Sequence, residues 1–280
     1  MSLLDTLRLD GKAAVVTGAG RGLGRAMAQA LARAGARVVC AARTAVQIER
    51  TANRIVEDGG EAIAVVADVS DSAQVDACVR ACVEKFGQID VMVANAGGGV
   101  GENRPFWEYS DELFEQVLAV NLKGTFYSGR AAARAMVERG QGGAIINVAS
   151  GTALRGYKDF AYPTAKGGVI SLTKSEATML GEHGIRANVI VPGFVSQEPA
   201  ADEQETEDRA ARGARIPVRR LGEWWELGPL AVYLASDASR YITGQSFVID
   251  GGGLAGGLGP VSFAPRQALA GDELDDMGEW

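Results

Sequence analysis

A chain of 280 residues that is 47% hydrophobic can bury the core of one large α/β domain, which excludes a disordered segment and a small disulfide-stapled scaffold. A net charge of -7, with a pI of about 5.0, argues against a nucleic-acid partner, whose surface would need a basic stripe. No apolar stretch reaches the roughly 18 residues of a spanning helix, and Met1 to Arg8 lacks a basic start followed by a long apolar core. The expectation is a cytoplasmic protein with no membrane partner and no signal peptide.

In chain order, strands are expected at 13–17, 36–41, 62–66, 90–94, 143–149, 185–191 and 246–249. Helices are expected near 22–34, 44–58, 71–86, 110–120, 122–139, 162–181 and 225–236. Strand–helix alternation predicts a parallel sheet covered on both faces. A glycine turn after the first strand makes it a doubly wound, Rossmann-like α/β sheet of seven strands in a single domain, with ligands at the carboxyl ends of the strands.

The first strand runs directly into Thr17-Gly18-Ala19-Gly20-Arg21-Gly22-Leu23-Gly24, and an Ala/Leu-rich helix closed by Gly35 follows. Glycines let the backbone turn tightly and approach a pyrophosphate, and the helix N-terminus offers free N–H groups and a positive dipole end. The spacing of Gly18, Gly22 and Gly24 is GxxxGxG rather than the common GxGxxG, and a glycine turn without a ligand is the alternative. An acidic residue at the end of the second strand would hold both ribose hydroxyls and select NAD. Val38 to Thr44 contains none. Arg43 stands where a 2′-phosphate would lie, with Arg21 nearby, and a guanidinium suits phosphate through its planar fork of donors. NADP(H) is therefore expected over NAD(H); the alternative is a solvated Arg43 and NAD bound without the acidic clamp.

Cys40, Cys78 and Cys82 do not make a disulfide framework, and the single His183 is too distant in sequence to complete a metal site with them. Buried thiols and no metal are expected. His183, in Gly181-Glu182-His183-Gly184, reads as the end of a helix.

Tyr162 and Lys166 are four apart and share one helix face, with Pro163 suited to the first turn. A free Tyr titrates near pH 10, and a neighbouring cation favours the phenolate, so the pair is a proton donor and acceptor brought toward neutrality. Alone, this motif more often describes a surface Tyr beside a solvated Lys. Ser150, ending the apolar run from Ala144, would be presented at the carboxyl edge of the sheet, where its hydroxyl could polarise a carbonyl oxygen.

Taken together, the motifs resemble the short-chain dehydrogenase/reductase family over roughly residues 9–253. The matching segments stand in the family's order: Thr17-Gly18 with Gly22 and Gly24, Asp68-Val69, Asn95-Ala96-Gly97, Asn121, Ser150, Tyr162 with Lys166, Val191-Pro192-Gly193, and Ile249-Asp250-Gly251-Gly252. The resemblance implies a hydride transfer between a nicotinamide cofactor and a ketone or secondary alcohol. Tyr162 would be the general acid or base, Lys166 would lower its pKa and hold the nicotinamide ribose, and Asn121 would organise a water leading from Lys166. It further implies an adenine contact at Asp68 and Val69 and a ribose-side segment at Asn95, Ala96 and Gly97. Pro192, Gly193, Val195 and Ser196 would pass the carboxamide. The chain departs from the family in three places. Ala94 replaces the first Asn of an Asn pair, Ser196 stands for a Thr, and the Ser150–Tyr162 loop is one residue short.

Substrate contacts are expected from segments 98–109, 151–160 and 194–215, the last a lid, through Phe106, Trp107, Tyr109, Leu154, Tyr157, Phe160 and Phe194; the alternative for each aromatic is packing. The family resemblance implies a homotetramer, or a dimer, built through the helices near 110–139 and 162–181 and the last strand. Residues 254–280 exceed the family pattern, and either reach a neighbour's active site or stay without fixed structure. The competing functional readings are an NAD-dependent alcohol dehydrogenase working in oxidation and a non-catalytic dinucleotide-binding regulator on the same fold.

Overall fold

Ala13–Thr17 (β1) is buried at every position, as a central parallel strand with helices on both faces requires. The computed structural model describes residues 4–98, 105–155, 157 and 159–256. After β1 come Gly22–Arg33 (α1), Arg37–Ala42 (β2), Ala45–Glu57 (α2), Glu61–Val66 (β3), Ser72–Phe86 (α3) and Val91–Ala94 (β4). The second half adds Asp111–Leu118 (α4), Gly124–Arg139 (α5), Gly143–Val148 (β5), Ala161–Leu180 (α6), Ile185–Pro192 (β6), Glu203–Gly213 (α7), Leu227–Ala235 (α8) and Ser246–Ile249 (β7). All neighbours pair in parallel, in the order β3-β2-β1-β4-β5-β6-β7. The order reverses between β1 and β4, which opens the crevice where such sheets bind ligands.

Side chains alternate along each strand and feed a separate core on each face. Val16, Val93 and Ile146 face α1, α2 and α8, packing on Met27, Leu31, Ile48 and Leu234. Val15, Met92 and Ile145 face the other way, onto Cys78, Val79, Ala132 and Met136. Each fully buried Leu, Ile or Met contributes roughly 1.5–3 kcal/mol of hydrophobic stabilisation before entropy. All three thiols lie in these cores, where burial pushes Cys40 and Cys82 up to about 12 and Cys78 to about 11.

Polar residues end the elements. Asp71 accepts from the N–H groups of Ala73 and Gln74 at the start of α3, and Asp202 from Glu205 N–H at the start of α7. His183 closes a short turn after α6, followed by Gly184 at φ 70°. The expected break between helices at residue 121 is instead a π-helical segment, Ala119–Lys123, joining α4 to α5 without a stop. Among the described residues, no helix is long and apolar enough to cross a membrane. The expected extension over 254–280 lies outside the described residues from 257 onward.

Candidate active site

The turn after β1 is assembled around Thr17. Its hydroxyl accepts from the N–H groups of Asn95 and Ala96 at 3.1 Å each and donates to Val93 O at 3.3 Å. The Asn95 amide donates to Thr17 O at 3.0 Å, so this side chain braces the glycine turn instead of projecting toward a ligand. Gly18 sits at φ 68°, and a Cβ there would lie 2.8 Å from Asn95 Nδ2 and 2.9 Å from Ala96 Cα. A Cβ on Gly24 would collide with Gly18 O, so α1 approaches the turn only because that position is glycine. Leu23 packs on the core, while Arg21, in extended backbone before α1, is exposed.

The N-terminus of α1 already holds an anion. Gly22 N–H donates to Glu198 Oε1 at 3.3 Å, and Arg25 pairs with Glu198 Oε2 at 2.6 Å. Gln197 also closes on Gly22, where any side chain would strike its amide oxygen. A carboxylate seated there shows that this end of the helix accepts negative charge, so the residues present fit a dinucleotide's pyrophosphate. Gln197 and Glu198 were expected only within the 194–215 lid, not at the glycine turn. Ser196, which was expected, points away: its hydroxyl lies 3.2 Å from Gly222 O and 3.1 Å from Glu223 Oε2. Val195 forms a bridge with Gly222 beside it.

At the end of β2, Arg43 is exposed and its guanidinium lies 4.0 Å from the Asp68 carboxylate. Burial raises the Asp68 pKa, but the Ser70 N–H and hydroxyl and the Arg43 charge outweigh it, and the net shift is downward. Val69 is buried against Gly124.

Lys166 and Asn121 converge on Gly97: a Cβ there would lie 2.6 Å from Asn121 Oδ1 and 3.0 Å from Lys166 Nζ. Asn121 is fully buried. It accepts from Gly98 N–H at 3.0 Å and donates to Gly98 O and Val117 O at 2.9 Å each, pinning the loop after β4 to the π-helical segment. Lys166 is buried too, donating to Val148 O at 2.9 Å, and burial pushes its pKa down to about 8.

Tyr162 departs from the sequence expectation. Burial raises its pKa, the Ser150 hydroxyl lowers it, and the Asp159 charge raises it further, with a net upward shift. Lys166 Nζ is 5.7 Å from the Tyr162 ring centroid and directed at Val148 O, so desolvation dominates over the cation. Ser150 follows β5 and accepts from Thr152 N–H at 3.3 Å and from the Thr152 hydroxyl at 3.0 Å. With its oxygen thus engaged by Thr152, its own proton is directed to the Tyr162 oxygen, beside which a substrate oxygen would have to sit to receive it. Thr152 lies in the 151–160 segment expected near the substrate, but its bond to Ser150 carries no sequence motif. Thr152→Val should lower kcat by about tenfold, the effect of losing one such bond of about 1.4 kcal/mol, without changing cofactor affinity. Steady-state kinetics with a Thr152→Ser rescue checks it; an unchanged kcat contradicts it.

A small cleft opens beside Ser150, lined also by Thr152, Arg155, Phe194, Asp250 and Leu254. Pro192 and Gly193 also line it, with Gly193 packed so closely on Asp250 that no Cβ would fit. Phe106 and Tyr109 are spent on packing edge-on against Phe160, at 4.7 and 5.6 Å between centroids. Trp107 is 82% exposed.

A parallel doubly wound sheet, a glycine turn at its switch point and a Ser–Tyr–Lys cluster beside a cleft define a dinucleotide-dependent oxidoreductase class. The chain belongs to the short-chain dehydrogenase/reductase family, whose members act on alcohol and carbonyl groups with NAD(P). A family model described as enoyl-(acyl carrier protein) reductase matches residues 18–253. An L-rhamnose 1-dehydrogenase (NAD(P)(+)) of Azotobacter vinelandii is 41% identical over 247 residues, covering 86% of this chain and 96% of that protein. A sorbitol dehydrogenase of Cereibacter sphaeroides is 38% identical, covering 88% and 98%. Among solved structures, a gluconate 5-dehydrogenase from Burkholderia cenocepacia in complex with NADP and tartrate is 34% identical. It has a TM-score of 0.81, covering 91% of this chain and 99% of that one.

Proposed function

We propose that the protein is an NADP(H)-preferring dehydrogenase that interconverts a secondary alcohol and a ketone on a small polyhydroxylated substrate, with Tyr162 as general acid and base. The observation that carries this reading is the convergence of Ser150, Tyr162 and the buried Lys166 at the end of β5, beside a cleft. The sugar and polyol names of the relatives support the substrate class.

In this reading the turn of Gly18, Gly20, Arg21, Gly22, Leu23 and Gly24 holds the pyrophosphate, which takes the place of the Glu198 carboxylate. Arg43 takes the 2′-phosphate, and Asp68 and Val69 border the adenine. The backbone of Asn95, Ala96 and Gly97 lies along the ribose, and the backbone of Pro192, Gly193, Val195 and Ser196 along the carboxamide, the Ser196 hydroxyl being held by Gly222 and Glu223. The bound nicotinamide supplies or takes the hydride. Ser150 donates a hydrogen bond to the substrate oxygen, where negative charge develops. In reduction Tyr162 gives its proton to that oxygen; in oxidation its phenolate takes the hydroxyl proton. Lys166, still largely an ammonium at neutral pH, offsets the charge left on Tyr162. Asn121 holds the π-helical segment and the Gly98 loop around Lys166. A homotetramer is also proposed, with Phe126 of α5, Met179 of α6 and Val248 of β7 as exposed apolar residues available for contacts between copies.

Cofactor choice is tested by fluorescence titration of the wild type and Arg43→Ala with NADPH and NADH. The expected result is tighter binding of NADPH by the wild type. Arg43→Ala should lose about tenfold in NADPH affinity, or about 1.4 kcal/mol, with NADH affinity unchanged. Equal losses for both cofactors would remove Arg43 from the 2′-phosphate role.

A further inference from the structure

Arg155 follows the short turn Gly151–Leu154 that begins at Ser150, and it lines the same cleft. Its guanidinium lies 5.3 Å from the Phe194 ring centroid and 5.8 Å from that of Tyr157. Three arginines nearby are engaged in ion pairs: Arg25 with Glu198, Arg209 with Glu205, and Arg220 with Glu226. Arg155 forms no ion pair or hydrogen bond with any described residue. Aromatic rings interact with the face of a guanidinium, which leaves its in-plane N–H groups available. Those donors form a fork matched to a planar carboxylate.

Asp250 supplies a second polar feature in this cleft. Its Oδ1 accepts from Gly252 N–H at 2.8 Å and its Oδ2 from Leu254 N–H at 2.6 Å. The carboxylate is thereby held in one orientation, and each oxygen keeps a lone pair for a hydroxyl donor. The cleft thus offers a cationic fork, a fixed acceptor and the Ser150 hydroxyl together.

We propose that the substrate is a polyhydroxylated carboxylic acid and its keto-acid partner, with Arg155 binding the carboxylate and Asp250 a hydroxyl. This rests on the reading that Ser150 and Tyr162 face the reacting carbon. In oxidation a secondary C–H leaves as hydride to NADP and the hydroxyl proton goes to Tyr162. The carboxylate is untouched and serves only for recognition. A neutral polyol leaves the Arg155 fork without an anion. A simple aliphatic ketone leaves the remaining Asp250 lone pairs, beyond those held by Gly252 and Leu254, without a donor from the substrate.

The test compares five- and six-carbon aldonates with the matching alditols, by calorimetric binding to the NADP-loaded protein and by oxidation rate. Wild type, Arg155→Met and Arg155→Lys are measured, with NADPH affinity and melting temperature as controls for an intact fold. The wild type should prefer an aldonate over its alditol by about a hundredfold in kcat/KM. Arg155→Met should abolish that preference, and Arg155→Lys should keep part of it, at unchanged NADPH affinity. Alditols preferred over aldonates, or no binding of either, would overturn the proposal. So would an Arg155→Met variant that loses both classes equally, since Arg155 would then only support its loop. Turnover of neutral polyols alone leaves the dehydrogenase reading intact, whereas failure to bind NADPH or NADH defeats that reading itself.

Discussion

Tyr162→Phe should lower turnover by about 10²–10⁴-fold while NADPH binds with wild-type affinity. The substitution removes one hydroxyl and leaves the ring, so packing at the start of α6 survives. The lost oxygen is the group proposed to exchange a proton with the substrate. Its pKa is shifted upward by burial and by Asp159, so at neutral pH it is a phenol, ready to donate. Reduction should therefore run well at neutral pH, and oxidation, which needs the phenolate, should accelerate as pH rises. The pH profiles of both directions in the wild type, with single-turnover rates for the variant, check this. A variant with near-normal turnover would remove Tyr162 from the mechanism.

Lys166→Met should abolish activity and yet make the protein more stable at pH 7. Burial lowers the Lys166 pKa from 10.5 to about 8, so the folded state carries a destabilising charge on the order of 3 kcal/mol. Below about pH 8 the group is protonated in folded and unfolded chains alike, and that penalty is present in full. Between about 8 and 10.5 the unfolded chain binds more protons than the folded one, so the wild type gains stability as pH rises. Met fills similar volume without charge but loses the bond to Val148 O, which offsets part of the gain. The net expectation is a melting temperature raised by a few degrees at pH 7, with the advantage shrinking toward pH 10. Calorimetric melts across this range check it; a variant that melts lower at pH 7 would show that Lys166 is stabilised by its surroundings.

Much of the fold was legible in the chain, because parallel strands buried on both faces leave short apolar runs that hydrophobicity alone reveals. The β1 boundaries matched, and β2 and β4 each began one residue later than expected. The π-helical segment at Asn121 was not legible, because it depends on bonds from that amide to Gly98, a contact across the fold. For the candidate site, spacing brought out Tyr162 and Lys166 as partners on one helix face. It gave no measure of their burial, and burial decides the direction in which Tyr162 shifts. Convergence left the weakest trace. Asp250 stood out in the Ile249-Asp250-Gly251-Gly252 motif and Arg155 lay in the 151–160 segment, but nothing in the sequence joined them in one cleft, and Glu198 reaches the glycine turn only through the fold of the loop after β6. Ser196 shows the converse: motif position placed it near the cofactor, and its hydrogen bonds direct it to Gly222 and Glu223.

The most direct test of the proposed dehydrogenase is nicotinamide oxidation by the purified protein, after fluorescence titration with NADPH and NADH, over a panel of polyhydroxylated ketones and keto acids. The account predicts tighter NADPH binding and NADPH oxidation that depends on the added carbonyl compound. Dinucleotide binding without turnover of any compound would favour a non-catalytic sensor on this fold, and binding of neither dinucleotide would contradict the site itself.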